Sequence, residues 1–259
     1  MTAAVPQHPA RPTAEGLELW AIDLTQGAGA LIAIGREHGL IDGEPTADHG
    51  RLAARIALRL ILAGYVGTEV LHQPFERSPS GKPSLAPAPD GCPPPLHFNL
   101  SHCETAGLVA ISPDGPVGVD IEGERRPRVN DHRRDRLIEA ARVLAPLDAL
   151  PPEPEWASFL QAWVRLEAFA KGTGEGLGAL LGRLATFGDR GADEGHDGLL
   201  VRDVALPGYR LWGAVAGPPA ALSLPAQPVP VWVPPDGGDI AGFVTKTKAQ
   251  RSSGPRGGA

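Results

Sequence analysis

Two short stretches near the middle of the chain alternate apolar and polar residues with a period of two, a third strand-like run lies between them, and this pattern constrains the fold more than any other feature. In LHFNLSH (96–102), Leu96, Phe98 and Leu100 alternate with His97, Asn99 and Ser101, which is the pattern of a half-buried strand. GLVAIS (107–112) and PVGVDIEG (116–123) follow, with the turn Pro113-Asp114-Gly115 between them. The simplest assembly of the three is a small antiparallel meander.

The surrounding sequence supplies further strands and several helices. LELWAIDL (17–24) alternates well enough to be a strand. From about Asp48 to Ala63, Leu52, Ile56 and Leu60 fall at helical spacing, while Arg51, Arg55 and Arg59 repeat every four residues. That is an amphipathic helix with an arginine stripe, either a solvated face or one turned to phosphate. Residues 131–145 and 155–171 read as helices, GLLVRDVAL (198–206) and YRLWGAVAG (209–217) as strands, and VPVWVP (229–234) as an edge segment. Helix followed by strands therefore occurs twice. Residues 1–16 and the polar tail KTKAQRSSGPRGGA are expected not to pack.

Charge and cysteine content exclude several classes of partner. The formal net charge of −6 leaves no whole-chain basic footprint for nucleic acid. Cys92 and Cys103 are the only cysteines, too few for a secreted disulfide scaffold or a cysteine-based zinc site, and they suit a reducing cytoplasm. The first residues lack the apolar core of a signal peptide, and no run approaches 18 consecutive apolar residues, so no membrane partner is expected.

Two constellations carry chemistry. In PVGVDIEG, Val117, Val119 and Ile121 point one way, while Gly118, Asp120 and Glu122 point the other. Two carboxylates roughly 6.6 Å apart at Cα share one strand face and can converge on one hard cation; an ordinary alternating surface strand is the bland alternative. In WASFLQAWVRLEAFAKGTGEG (156–176), Trp156, Leu160, Trp163, Glu167 and Lys171 fall close to one helical stripe, which sets a carboxylate and an ammonium in line with apolar residues. Glu167 and Lys171 are either a plain i,i+4 ion pair or groups held at the edge of a cleft. Gly172, Gly174 and Gly176 end that helix and leave backbone accessible. His102 closes a strand and can donate to phosphate oxygens, and Lys82 sits between Gly81 and Pro83 in a turn. Each of these has a structural alternative.

The set is more specific than its parts. GKP at 81–83, FNLSHC at 98–103, VGVDIE at 117–122 and WVRLEAFAK at 163–171, in this order and at these separations, resemble the 4'-phosphopantetheinyl transferase superfamily. The likeness is greatest to its single-chain, surfactin-synthetase-activating branch, and LPGYRLWGAVAG (206–217) resembles that branch's closing strands.

The resemblance implies an α+β fold of two similar α/β subdomains, each a small, mainly antiparallel sheet packed with a long helix, arranged as a pseudo-dimer. They would span 17–115 and 116–235, between disordered ends at 1–16 and 236–259. It further implies a cytoplasmic, monomeric enzyme that uses Mg²⁺, with Mn²⁺ as an alternative, and takes coenzyme A as co-substrate. The acceptor would be an apo acyl or peptidyl carrier protein of fatty-acid, polyketide or nonribosomal-peptide synthesis. Asp120, Glu122 and Glu167 match the family's metal carboxylates, and Glu167 also matches the group that helps activate the attacking serine. Lys171 matches the lysine beside the reacting phosphates. His102, Lys82, Ser101 and, with a looser match, Arg51 fall at coenzyme A contacts.

Three positions depart from the family pattern. Leu166 stands where a lysine usually precedes the glutamate, the segment 39–50 is acidic where relatives are often basic, and Cys103 replaces a serine. The loss of a cation at 166 motivates one alternative, a coenzyme A-binding regulatory homologue with little turnover. Another metal-dependent phosphotransferase or phosphodiesterase is the second.

Overall fold

A computed structural model of the chain describes residues 16–41, 48–87, 96–123, 129–144, 155–187, 198–206, 210–222 and 229–230. The ends expected not to pack lie outside these residues, Gly16 excepted, as do 42–47 of the acidic segment, Cys92 and 231–234 of the last strand-like run. The architecture is α+β: helices with small, mainly antiparallel sheets.

Strand β1 (Glu18–Asp23) runs directly into helix α1 (Leu24–Glu37), because the Asp23 carboxylate accepts the backbone amides of Thr25 and Gln26 and so caps the helix. Helix α2 (His49–Val66) is capped in the same way by Asp48, whose carboxylate accepts the Arg51 amide at 2.8 Å. Helix α1 has no counterpart in the sequence reading. Its glycines lower helix propensity, but one of them permits tight packing, since a Cβ at Gly35 would stand 2.5 Å from Ile56 Cδ1. Tertiary contact with α2 therefore offsets weak local preference.

A short hairpin, β2 (Glu76–Arg77) and β3 (Pro83–Ser84), carries the Gly-Lys-Pro turn, with Gly81 at φ +85°. Strands β4 (His97–His102) and β5 (Ala106–Ser112) then pair antiparallel, as expected, and β5 pairs antiparallel with β1. The meander stops there. Because β5 already has β4 on one side and β1 on the other, no edge remains for the third stretch. Strand β6 (Gly118–Gly123) instead joins a second sheet, where it pairs with β8 (Leu211–Gly217), which pairs with β7 (Leu200–Asp203). Between them run α3 (Asp131–Leu144), α4 (Glu155–Thr173) and α5 (Leu177–Phe187), the last also absent from the sequence reading. Strand β9 (Val229–Pro230) returns to lie parallel to β1 in the first sheet.

The core is layered, and alternation along the strands explains why. Trp20, Ile22, Val109 and Ile111 face α1 and α2, whereas Leu19, Leu108 and Ala110 face the second sheet and meet Val119, Ile121 and Val215. On the far side of that sheet, Ala214 and Ala216 pack with Leu137, Phe159, Leu166 and Phe169 of the later helices. Each sheet thus buries both faces, one against helices and one against the other sheet.

Beyond this apolar layer, β4 and β6 are joined by side chains. The amide of Val119 donates to Asn99 Oδ1 at 2.9 Å, and that of Ile121 to Ser101 Oγ at 3.4 Å. Two strands from different sheets are thereby sewn together by the polar residues of FNLS, which supply acceptors that a ladder would otherwise provide.

Strand β6 also lies against α4 without intervening side chain. A Cβ at Gly118 would stand 2.0 Å from the Ala168 carbonyl oxygen and 2.3 Å from the Gly172 nitrogen. Gly118→Ala is expected to destabilise the fold by about 3 kcal/mol or more, since backbone on both sides must shift. Gly123→Ala, where a Cβ meets nothing within 4 Å, should change stability by less than about 0.5 kcal/mol. Urea unfolding midpoints of the two variants check this.

Candidate active site

The close approach at Gly118 sets the face of β6 bearing Asp120 and Glu122 directly against α4. Asp120 is buried, and its Oδ1 accepts from Lys171 Nζ at 2.5 Å and from Ser101 Oγ at 2.7 Å. Lys171 Nζ also reaches Ser101 Oγ at 3.3 Å. Three residues from three sequence motifs, 101, 120 and 171, therefore meet at one point. The i,i+4 alternative for Lys171 gives way to this longer-range contact, in which the ammonium compensates a buried carboxylate.

The other carboxylate oxygen of Asp120, Oδ2, is buried and has no hydrogen-bond partner among the described residues. Glu167, half-buried one helical turn before Lys171, lies within electrostatic reach of both strand carboxylates. Burial pushes its pKa up, Lys171 pulls it down, and Asp120 and Glu122 push it up again. Asp120 is likewise held above its ordinary value by burial, against the opposing pull of Lys171 and Ser101. The three carboxylates thus share one neighbourhood. Among the described residues, however, no three His, Cys, Asp or Glu side chains stand together in ligand geometry. The lysine contact on Asp120 gives a physical reason, since an ammonium already supplies positive charge at that oxygen.

The expected phosphate contacts divide into separate groups. Ser101 faces β6, and His102, the next residue on β4, points to the opposite side of the strand. There its Nε2 lies 3.8 Å from Asp48 Oδ2. Because Asp48 also holds the Arg51 amide, the N-terminus of α2 brings His102 and Arg51 to one place, with the Arg51 side chain exposed. The Arg51 amide holds the Asp48 carboxyl below its ordinary value, with His102 adding to the effect. Of the arginine stripe, Arg59 is committed to structure: it donates to the Val70 and Gln73 carbonyls and lies over the Phe75 ring. Lys82 is engaged within the protein. Its Nζ donates to two backbone carbonyls, Val117 O and Gly172 O, both at 3.0 Å.

Two features of α4 were not legible beforehand. Leu166 is fully buried in the helix-side core, because one step from Glu167 turns the side chain by about 100°. Arg165 is buried too, and donates through Nε and Nη2 to both carboxylate oxygens of Asp203 at 2.7 Å, with Gln161 joining the same carboxylate. It fastens α4 to β7 and takes no place beside Asp120. The i,i+4 spacing of Gln161 and Arg165 was the available signal, but nothing local points to Asp203.

No protein-family profile matches the chain. Curated relatives do. It is 34% identical over 130 residues to the 4'-phosphopantetheinyl transferase HetI of a Nostoc species, covering 49% of this chain and 53% of that protein. The corresponding values are 33% over 133 residues for the 4'-phosphopantetheinyl transferase psf-1 of Bacillus pumilus, with 51% and 52% covered. For the 4'-phosphopantetheinyl transferase AcpT of Escherichia coli K12 they are 36% over 94 residues, with 36% and 45% covered. These relatives support the 4'-phosphopantetheinyl transferase superfamily. The chain spans about half the length of the curated superfamily members it matches. No helix among the described residues is long and apolar enough to cross a membrane.

Two outcomes follow from the charges on α4. Glu167 has a raised pKa in the fold, so this group favours folding below the ordinary glutamate pKa and loses that contribution as pH rises through the folded value. Glu167→Gln should therefore raise the melting temperature of the metal-free protein by a few degrees at pH 7, with the gain vanishing near pH 4. Leu166→Lys restores the family's usual residue but places an ammonium in the apolar core. It should destabilise by about 3–5 kcal/mol, measured by chemical denaturation, instead of improving phosphate binding.

Proposed function

We propose that this protein transfers the 4'-phosphopantetheine arm of coenzyme A to a serine of an apo acyl or peptidyl carrier protein, releasing 3',5'-ADP. The observation that carries this reading is the meeting of Asp120, Ser101 and Lys171, with Glu167 and Glu122 in the same neighbourhood. Relatives bearing the transferase name over half the chain support it. In this reading the two sheets, each with a long helix (α2 or α4), are the similar halves of a pseudo-dimer, divided near residue 115.

The donor set fits a hard divalent cation. Asp120 Oδ2 is buried without a partner among the described residues, and the carboxylates of Asp120 and Glu122 both raise the proton affinity of Glu167, a repulsion that a cation relieves. Asp120, Glu122 and Glu167 would hold Mg²⁺, or Mn²⁺, after the ammonium yields its place on Asp120. Such an ion supplies charge neutralisation at a diphosphate.

The chain's own residues do the rest. Lys171, on the last turn of α4, is positioned to move from Asp120 to a phosphate oxygen. His102 and Arg51, gathered at the N-terminus of α2, offer donors to further phosphate oxygens, aided by the positive end of that helix. The acceptor serine oxygen forms a bond to the β-phosphorus, the bond from that phosphorus to the bridging oxygen breaks, and 3',5'-ADP leaves with the bridging oxygen. The serine proton passes to Glu167 as general base. Ser101 serves this arrangement by holding Asp120, since its hydroxyl is engaged within the protein.

Mass spectrometry of apo carrier proteins incubated with the protein, coenzyme A and Mg²⁺ tests the proposal. A gain of one phosphopantetheine is expected on at least one carrier from fatty-acid, polyketide or nonribosomal-peptide synthesis, and no gain on any of them rejects it. Asp120→Ala and Glu167→Gln should each lower the rate by about 100-fold or more while leaving the circular dichroism spectrum unchanged.

A further inference from the structure

Lys82 is a predicted phosphate contact that gives two of its three ammonium donors to main-chain carbonyls. It stands in the β2–β3 turn, far in sequence from both elements that it touches. The turn is well defined: Ser78 and Lys82 exchange backbone and side-chain hydrogen bonds, and Arg77 donates to the Gly81 carbonyl. From it the lysine stem runs past Gly174, where a Cβ would meet Lys82 Cδ at 3.9 Å, to reach Gly172 O and Val117 O, each at 3.0 Å.

Both acceptors occupy consequential places. Gly172 lies in the last turn of α4, where carbonyls have no intrahelical partner and the helix dipole is negative. Val117 is the residue before β6. One ammonium therefore neutralises the end of the helix that carries Glu167 and Lys171, and ties it to the start of the strand that carries Asp120 and Glu122. The tie falls beside the one place, Gly118, where strand and helix backbones touch.

We propose that Lys82 is a positioning residue: it clamps the C-terminal turn of α4 to the entry of β6 and so sets the register of Glu167 and Lys171 against Asp120 and Glu122. Turning these two donors to coenzyme A would leave both carbonyls without this partner. Two fixed main-chain acceptors, belonging to separate elements, make the clamp the better account of its geometry. Burial also pushes the Lys82 pKa down to about 8.

The kinetic consequence rests on the transferase reading, and the structural one does not. Lys82→Met keeps the stem and removes the ammonium. It should lower kcat by about 10–100-fold, the usual effect of a small misplacement of reacting groups, with the KM for coenzyme A unchanged within about twofold. In the ligand-free variant, amide hydrogen exchange at Gly172–Gly174 and Gly118–Asp120 should be faster than in the wild type. An unchanged kcat, a KM raised more than about threefold, or unaltered exchange overturns the clamp. If the wild-type chain transfers nothing to any carrier, the transferase reading fails by itself and the exchange comparison alone decides. If Lys82→Met does not fold, exchange is measured on the wild type with and without saturating coenzyme A. Retained protection at Gly172–Gly174 supports the clamp, and protection lost on binding overturns it.

Discussion

At Gly118 the backbone of a strand rests on the backbone of a helix, with the positions that a Cβ would occupy already filled by the Ala168 carbonyl and the Gly172 amide. Everything at the candidate site depends on that approach. Side chains two and four residues further along β6 are brought to α4 at short range, so that Lys171 reaches Asp120 at 2.5 Å. Any residue larger than glycine would separate the elements and dissolve the contact. The Lys82 ammonium, bonded to carbonyls on both sides of this point, acts at the same joint.

Buried charge on α4 serves two different ends. Arg165 and Asp203 form a bidentate pair joined by Gln161, a neutral arrangement that fixes the helix to β7. On the β6 side, one ammonium must compensate the buried Asp120 while Glu122 and Glu167 lie within range. Asp120 keeps an oxygen without a partner among the described residues, and Glu167 is held towards its protonated form. The first arrangement is balanced in charge, although Arg165 Nη1 and Gln161 Oε1 stay buried without a partner among the described residues. The second carries excess negative charge in a partly desolvated place, a feature more typical of sites that bind a cation than of structural ion pairs.

The seam between the sheets explains the polar alternation of FNLS. Asn99 and Ser101 lie on the face of β4 that meets the second sheet, where the amides of Val119 and Ile121 need acceptors. Serving as those acceptors ties the placement of Ser101, and through it Asp120, to the assembly of the two sheets. A hydroxyl that donates to Asp120 and accepts from Ile121 and Lys171 has its bonding capacity filled. It is part of the frame around the site.

Much of this was legible in the chain. The period-two runs marked β4 and β6, the apolar run between them marked β5, the 3.6-residue pattern marked α2, α3 and α4, and the alternation in VGVDIE correctly put Asp120 and Glu122 on one face, because local periodicity reports which side of an element a residue occupies. Partnership is a different matter. That β6 leaves the meander for β8, that Lys171 turns to Asp120 and not to Glu167, that Leu166 enters the core, that Lys82 spans to Val117 and Gly172, and that the glycine-rich α1 is a helix at all were decided by the tertiary structure. The reason is physical: a strand edge already paired, a buried carboxylate needing compensation and a helix end needing a donor are satisfied by whatever the fold brings near, and nearness between residues 82, 117 and 172 has no trace in the local sequence.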